Sequence, residues 1–138
     1  MCAEASLTSY QARCIAKAYN NAKAPQKAIE AIDKVSSEEV NHWLLYVQTK
    51  SYLDFGDYEW ALICASRCFE LAKADPKTET RMSIYHDQLS KCHEALNNLD
   101  EAIEQANQAV DNCEDDKYKK ELQNRLSALE QLEIETTK

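Results

Sequence analysis

Along most of this chain, apolar and small residues return every three to four positions, the period of a helix with one buried face. The pattern predicts seven helices and no strand. A first helix over about residues 7–21 puts Tyr10, Cys14, Ile15 and Tyr19 at buried or groove-facing positions. Pro25 suits the first turn of a second helix, where its missing N–H is no loss, and that helix is expected to reach Val35. Ser36 followed by Glu39 reads as a capping box opening a long third helix to about Phe55. Gly56-Asp57 supplies a turn and a cap for a fourth helix from Tyr58, which ends before Pro76. A fifth helix covers about residues 78–96, and Asn98 with Glu101 marks the start of a sixth that ends near Asn112. Glu114-Asp115-Asp116 places negative charge where the dipole of a seventh helix favours it. That helix, about residues 115–134, aligns Tyr118, Leu122, Leu126 and Leu129 in one stripe.

The pattern also repeats on a longer scale. Residues 12–35, 45–68 and 86–109 superpose without gaps. In each, a small residue (Ala16, Thr49, Ser90) precedes a ring (Tyr19, Tyr52, His93) by three positions. An alanine follows nine positions later (Ala28, Ala61, Ala102). Two small or aliphatic sites close the unit: Ile32 and Val35, Ala65 and Cys68, Ala106 and Ala109. Helix pairs this short cannot bury their own apolar faces, so they stack on one another. Ala16, Tyr19, Ala28, Ala61, Ala65, Ala102 and Ala106 are therefore expected between helices. The whole chain, residues 1–138, reads as a single domain with repeats at about 10–37, 42–75 and 83–114. The seventh helix should cover the apolar end. The interval from Ala28 to Ala61 is 33 residues and that from Ala61 to Ala102 is 41; the surplus most simply lengthens the helices around residues 73–81.

Composition changes this picture little. Hydrophobic residues are 44% and charged residues 29%, enough for a core and a solvated surface, while one Gly and two Pro leave little turn chemistry for a sheet. Net charge is −8 and uneven: +2 over residues 1–37, −4 over 38–98 and −6 over 99–138. An acidic chain without a basic cluster does not suit nucleic acid, whose affinity rests on phosphate neutralisation, nor an anionic membrane surface. No apolar run is long enough to span a bilayer. The opening MCAEASLTSY lacks the basic start and apolar run of a secretory signal, and the six cysteines lie at helical core spacings. Reduced thiols in the cytoplasm are expected.

The repeat resembles the tetratricopeptide repeat (TPR) family. The middle copy matches best, through Leu45, Tyr52, Gly56-Asp57-Tyr58, Ala61 and a late Pro76. The third matches through Leu89-Ser90 and Asn97-Asn98-Leu99-Asp100-Glu101-Ala102-Ile103. The first keeps Ala16, Tyr19, Ala28 and Ile32. The resemblance implies an all-α, right-handed helical solenoid that binds a segment of another protein in a concave groove. The groove positions it implies are Tyr10, Arg13, Lys17 and Asn20, then Trp43, Tyr46, Lys50 and Leu53, then Ile84, Asp87, Lys91 and Glu94. A lysine recurs at one place in every copy (Lys17, Lys50, Lys91), with Arg13 one turn from Lys17. Such a groove suits an acidic peptide with an apolar anchor. Trp43 either lines it or packs on Val35 or a neighbouring helix. Trp60 is expected on the convex face or between repeats. Chaperone-tail receptors of this family use a clamp of lysine, asparagine and basic residues. The matching positions here read Arg13, Lys17, Val47, and Asp87 or Gln88, so chaperone-tail binding is not expected.

Catalytic signals are missing. Cys64 and Cys68 lie one turn apart and Cys92 precedes His93, but Cys68 and His93 occupy core positions of their repeats, so packing rather than metal binding is expected. His42, His86 and His93 have no partners at triad-like spacing, and no phosphate-binding or zinc-protease motif occurs. The expectation is a non-catalytic adaptor or assembly subunit, with no cofactor and no metal, that binds a protein or peptide. The alternative is a structural scaffold that self-associates through its convex or terminal surfaces.

Overall fold

The computed structural model describes residues 7–136, and all structural statements concern these. The chain's opening residues and the Cys2 thiol lie outside them. Seven α-helices follow in order: α1 (Ser9–Asn21), α2 (Pro25–Asp33), α3 (His42–Phe55), α4 (Tyr58–Lys73), α5 (Met82–Ala95), α6 (Leu99–Asp111) and α7 (Asp116–Thr136). The protein is all-α; the one sheet-like pairing among the described residues is an isolated bridge between Leu7 and Val35. None of these helices is long and apolar enough to cross a membrane. The chain forms two compact units, Met1–Cys68 and Phe69–Lys138.

In the first unit the capping box belongs to α1, not α3. Thr8 Oγ1 accepts the Gln11 backbone N–H at 3.1 Å, and Gln11 Oε1 accepts the Thr8 N–H at 3.0 Å. The box expected at Ser36 does not form. Ser37–Glu39 makes one 3-10 turn, and Val40 is extended, with φ −70° and ψ 129°. Glu39 instead accepts the Ser9 N–H at 3.1 Å, tying this loop to the start of α1. Helix α3 begins later, where Asn41 Oδ1 accepts the Leu44 N–H at 2.9 Å. It ends at Gly56, whose φ of 99° is a left-handed conformation that side-chain-bearing residues avoid. Asp57 then caps α4 by accepting the Trp60 N–H at 3.2 Å.

Helices α1, α2 and α3 pack on one another. Ala12, Ala16, Ala28, Ile32, Leu44 and Val47 form the buried cluster, with Leu7, Val35 and Val40 against it. Ala16, Ala28 and Ala61 have no exposed surface, and Ala65 almost none, so the small sites lie between helices as expected. Tyr19 does not join them. It is 36% exposed, and where Trp60 stacks on the matching Tyr52, the first copy has Lys27, whose Nζ lies 5.9 Å from the Tyr19 ring centre. Close-packed interiors do not absorb added methylenes, so Ala61→Leu should cost about 1–3 kcal/mol. Urea unfolding checks this; an unchanged midpoint would show slack at the crossing.

In the second unit, α5 packs on α6 and α6 on α7. The surplus residues between repeats only partly lengthen helices. α4 has 16 residues against 9 for α2, but the rest form a 3-10 turn at Pro76–Thr78, and α5 starts at Met82. Thr78 is buried there, donating its hydroxyl to the carbonyls of Ala72 and Asp75. Asn97 takes the left-handed turn, with φ 63°. Asn98 occupies the cap position of α6, but its side chain makes no capping bond. Asp115 does cap α7, accepting the Tyr118 N–H at 2.8 Å. Leu129 packs with Ala102 and Ala106, and Leu122 with Ala109 and Cys113, while Tyr118 and Leu126 flank these contacts.

Cys64, Cys68, Cys92 and Cys113 are buried and Cys14 is exposed. Burial pushes Cys64 up to about 11 and Cys68 up to about 12. At pH 8, native labelling should therefore reach Cys14 quickly and Cys68 and Cys92 only on unfolding. Rapid native labelling of the latter two would contradict the packing. The folded chain holds the Cys64 and Cys68 protons where an unfolded chain releases them. That stability is intact below the usual thiol value of 9 and is lost as pH rises towards 11–12.

Candidate functional site

Helix α3 is enclosed on most sides. Its only exposed residues are Trp43, Lys50, Asp54 and, at the end, Phe55. The first three fall at i, i+7 and i+11, one narrow strip along the helix. Tyr46 and Leu53 are half-buried beside it. The Trp43 ring is 36% exposed and lies against buried His42, centroids 3.9 Å apart. Lys50 Nζ meets Asp54 Oδ2 at 3.1 Å, both largely in solvent, which leaves the lysine available to a competing carboxylate.

On α1, Tyr10 and Lys17 are exposed and Arg13 is half-buried, with its guanidinium 5.5 Å from the Tyr10 ring centre. Arg13, Lys17 and Asn21 share one face of the helix by their spacing. Asn20 turns inward. It is 7% exposed, and its Oδ1 accepts the Ser51 hydroxyl at 2.9 Å, joining α1 to α3. Its Nδ2 has no partner among the described residues. Between the end of α1 and the end of α3 lies a cleft of about 520 Å³, lined by Asn20, Asn21, Lys23, Pro25, Lys50 and Asp54. Sequence reasoning missed Lys23 and Asp54. Asp54 is readable at i+4 from Lys50. Lys23 sits in a left-handed turn, φ 60°, that no local signal announces.

The second unit treats the corresponding positions differently. Ile84 is half-buried, and Lys91 and Glu94 are exposed, but Asp87 is only 6% exposed. Lys91 Nζ lies 3.2 Å from Asp87 Oδ2, and the Tyr118 hydroxyl lies 3.4 Å from the same oxygen. Arg125 of α7 reaches across to α5. It donates to Ser90 Oγ and Glu94 Oε1, each at 2.7 Å, and stands 3.9 Å from Asp87 Oδ1. Ser90 in turn donates to the Ala102 carbonyl at 2.6 Å. Asp87 is thus engaged in seating α7, and Lys91 pairs with it within α5. Arg125 was missed because the leucines on either side dominate the reading of α7.

His42 lies under Trp43, and His86 Nδ1 pairs with Gln105 Oε1 at 2.8 Å. Among the described residues, no group of three His, Cys, Asp or Glu side chains is placed to hold a metal ion. No family model matches the chain, and no curated protein matches it.

Proposed function

We propose that the chain is a non-catalytic protein-interaction module, a right-handed TPR-like solenoid acting as a cytoplasmic adaptor or assembly subunit. It takes an acidic segment of a partner along the exposed strip of α1 and α3. The observation that carries this reading is the enclosure of α3 on most sides, which leaves one exposed strip along its length. What remains exposed there is a tryptophan, a lysine and that lysine's weak acidic partner. Lys23 lines one cleft with Lys50 and Asp54, and Arg13 and Lys17 precede Asn21 of that cleft by two turns and one turn of α1, so a chain of net charge −8 gathers cations along these helices. Basic groups pair with carboxylates, and tryptophan supplies apolar area for an anchor. Lys91 contributes less to this surface, since it neutralises Asp87. The solenoid reading is supported by the buried alanines that recur between paired helices.

A short Glu-rich peptide with one central leucine serves as probe in isothermal titration calorimetry. Lys17→Glu with Lys50→Glu should weaken its binding by about tenfold or more. The melting profile should barely move, because exposed substitutions cost within about 0.5 kcal/mol. Wild-type affinity should also fall with salt, since exposed charges are screened over about 8–10 Å. Unchanged affinity in the double reversal would refute the reading. Exposed Leu132 and Ile134 near the end of α7 favour the alternative, self-association through a terminal surface. A dimer in sedimentation that Leu132→Lys dissociates would support that alternative.

A further inference from the structure

The first unit carries a second exposed surface whose charge is opposite to that of the strip. Gln48 and Tyr52 lie about half a helical turn around α3 from Lys50, on the side that meets α4. The Tyr52 ring stacks on Trp60 of α4, with centroids 6.4 Å apart and planes 25° apart. Gln48 Oε1 accepts the Cys64 thiol at 3.5 Å, which fixes this part of α4 against α3. Outward of that contact, Trp60 and Ile63 are each 54% exposed. Single exposed apolar residues need no explanation, but a cluster of aromatic and aliphatic side chains marks a contact surface.

The rim of this cluster is acidic. Asp33 at the end of α2 and Asp57 at the start of α4 act on the Tyr52 hydroxyl, which burial first and these charges next hold above its ordinary value. Glu30 lies one turn from Asp33. Burial and then Glu30 hold Asp33 above the ordinary carboxylate value. No lysine or arginine of the described residues forms an ion pair with Glu30, Asp33 or Asp57. Lys27 and Lys34 stand at i−3 and i+4 from Glu30 without closing such a pair, and Arg67 acts on Cys64.

We propose that this acid-rimmed aromatic face, Trp60, Tyr52 and Ile63 beside Glu30, Asp33 and Asp57, docks a cationic segment of a partner protein, an arginine or lysine flanked by aliphatic side chains. Charge complementarity selects the occupant. None of the three carboxylates is ion-paired among the described residues, and Asp57 already lies beside Trp60, so a guanidinium can lie over the Trp60 indole while pairing with a rim carboxylate. Aliphatic neighbours of that cation cover Ile63 and the ring edges. An anionic lipid surface would be repelled by the same rim. The face uses other helix surfaces and the opposite charge from the α1–α3 strip, so the two readings stand or fall separately.

The test uses the full chain and a short amidated peptide alternating arginine and leucine, followed by NMR. The chain has two tryptophans, so two indole N–H signals report, assigned through a Trp60→Phe spectrum. The Trp60 signal should shift saturably while that of Trp43 stays in place, and the peptide with glutamate for arginine should leave Trp60 unmoved. Glu30→Gln with Asp33→Asn should weaken binding by about tenfold or more. Glu121→Gln with Glu130→Gln, which removes the same charge from exposed positions of α7, should leave it unchanged. Three results would overturn the proposal: equal weakening by both pairs, a shift of Trp43 in place of Trp60, or a dimer in sedimentation that Trp60→Ala dissociates. The last would assign the face to a second copy of the chain.

Discussion

A chain ending after Asn112 is expected to aggregate or to lose cooperative unfolding. Removing α7 uncovers Ala102, Ala106 and Ala109 and deletes Leu122 and Leu129, which are 4% and 2% exposed. Losing one buried leucine side chain alone costs about 2–5 kcal/mol. Losing two, with Tyr118 and Leu126 beside them, approaches the whole stability of a domain this size, about 5–15 kcal/mol. The deletion also leaves the buried Asp87 carboxylate without Arg125 and Tyr118. Size-exclusion chromatography and urea unfolding followed by circular dichroism read the outcome. A monomeric truncation as stable as the full chain would show that α7 does not cover the last pair.

Arg125→Ala should produce the largest effect of any single substitution of a charged residue in the second unit. The guanidinium ties α7 to Ser90 and Glu94 and is the second cation near Asp87, after Lys91. Removing one partner from a buried charge cluster costs about 3–5 kcal/mol, because the remaining charge stays desolvated. Lys91 remains, which places the expected loss near the lower end, about 3 kcal/mol. Asp87→Asn in the Arg125→Ala background should recover part of it, since the uncompensated charge is then gone. A double-mutant cycle separates this coupling from lost packing by the arginine stem. A loss below about 0.5 kcal/mol would place Arg125 among ordinary surface residues.

The buried alanines and the α7 leucines are legible in the sequence because their burial follows from helical period and repeat alone. Turns written by a single residue are equally readable, as Pro25, Gly56 and Asp57 show. The start of α3 is not. Thr8 with Gln11 and Ser36 with Glu39 both fit the capping pattern, and only the long-range bond from Ser9 to Glu39 decides between them. The candidate site divides in the same way. Trp43 and Lys50 fall on the exposed strip of α3, whereas Asn20 and Asp87, at positions assigned to the groove, are buried. Ser51 and Arg125, respectively 31 and 38 positions away along the chain, supply the reason. Local pattern carries no information at that separation.

The strip of α1 and α3 is tested most directly by a backbone amide NMR titration of the full chain with the Glu-rich peptide. The account predicts saturable shifts concentrated at Arg13, Lys17, Asn21, Lys23, Trp43, Lys50 and Asp54, with Trp60 and Ile63 still. Shifts concentrated at Trp60 and Ile63 or along α7, or none at saturating peptide, would contradict it.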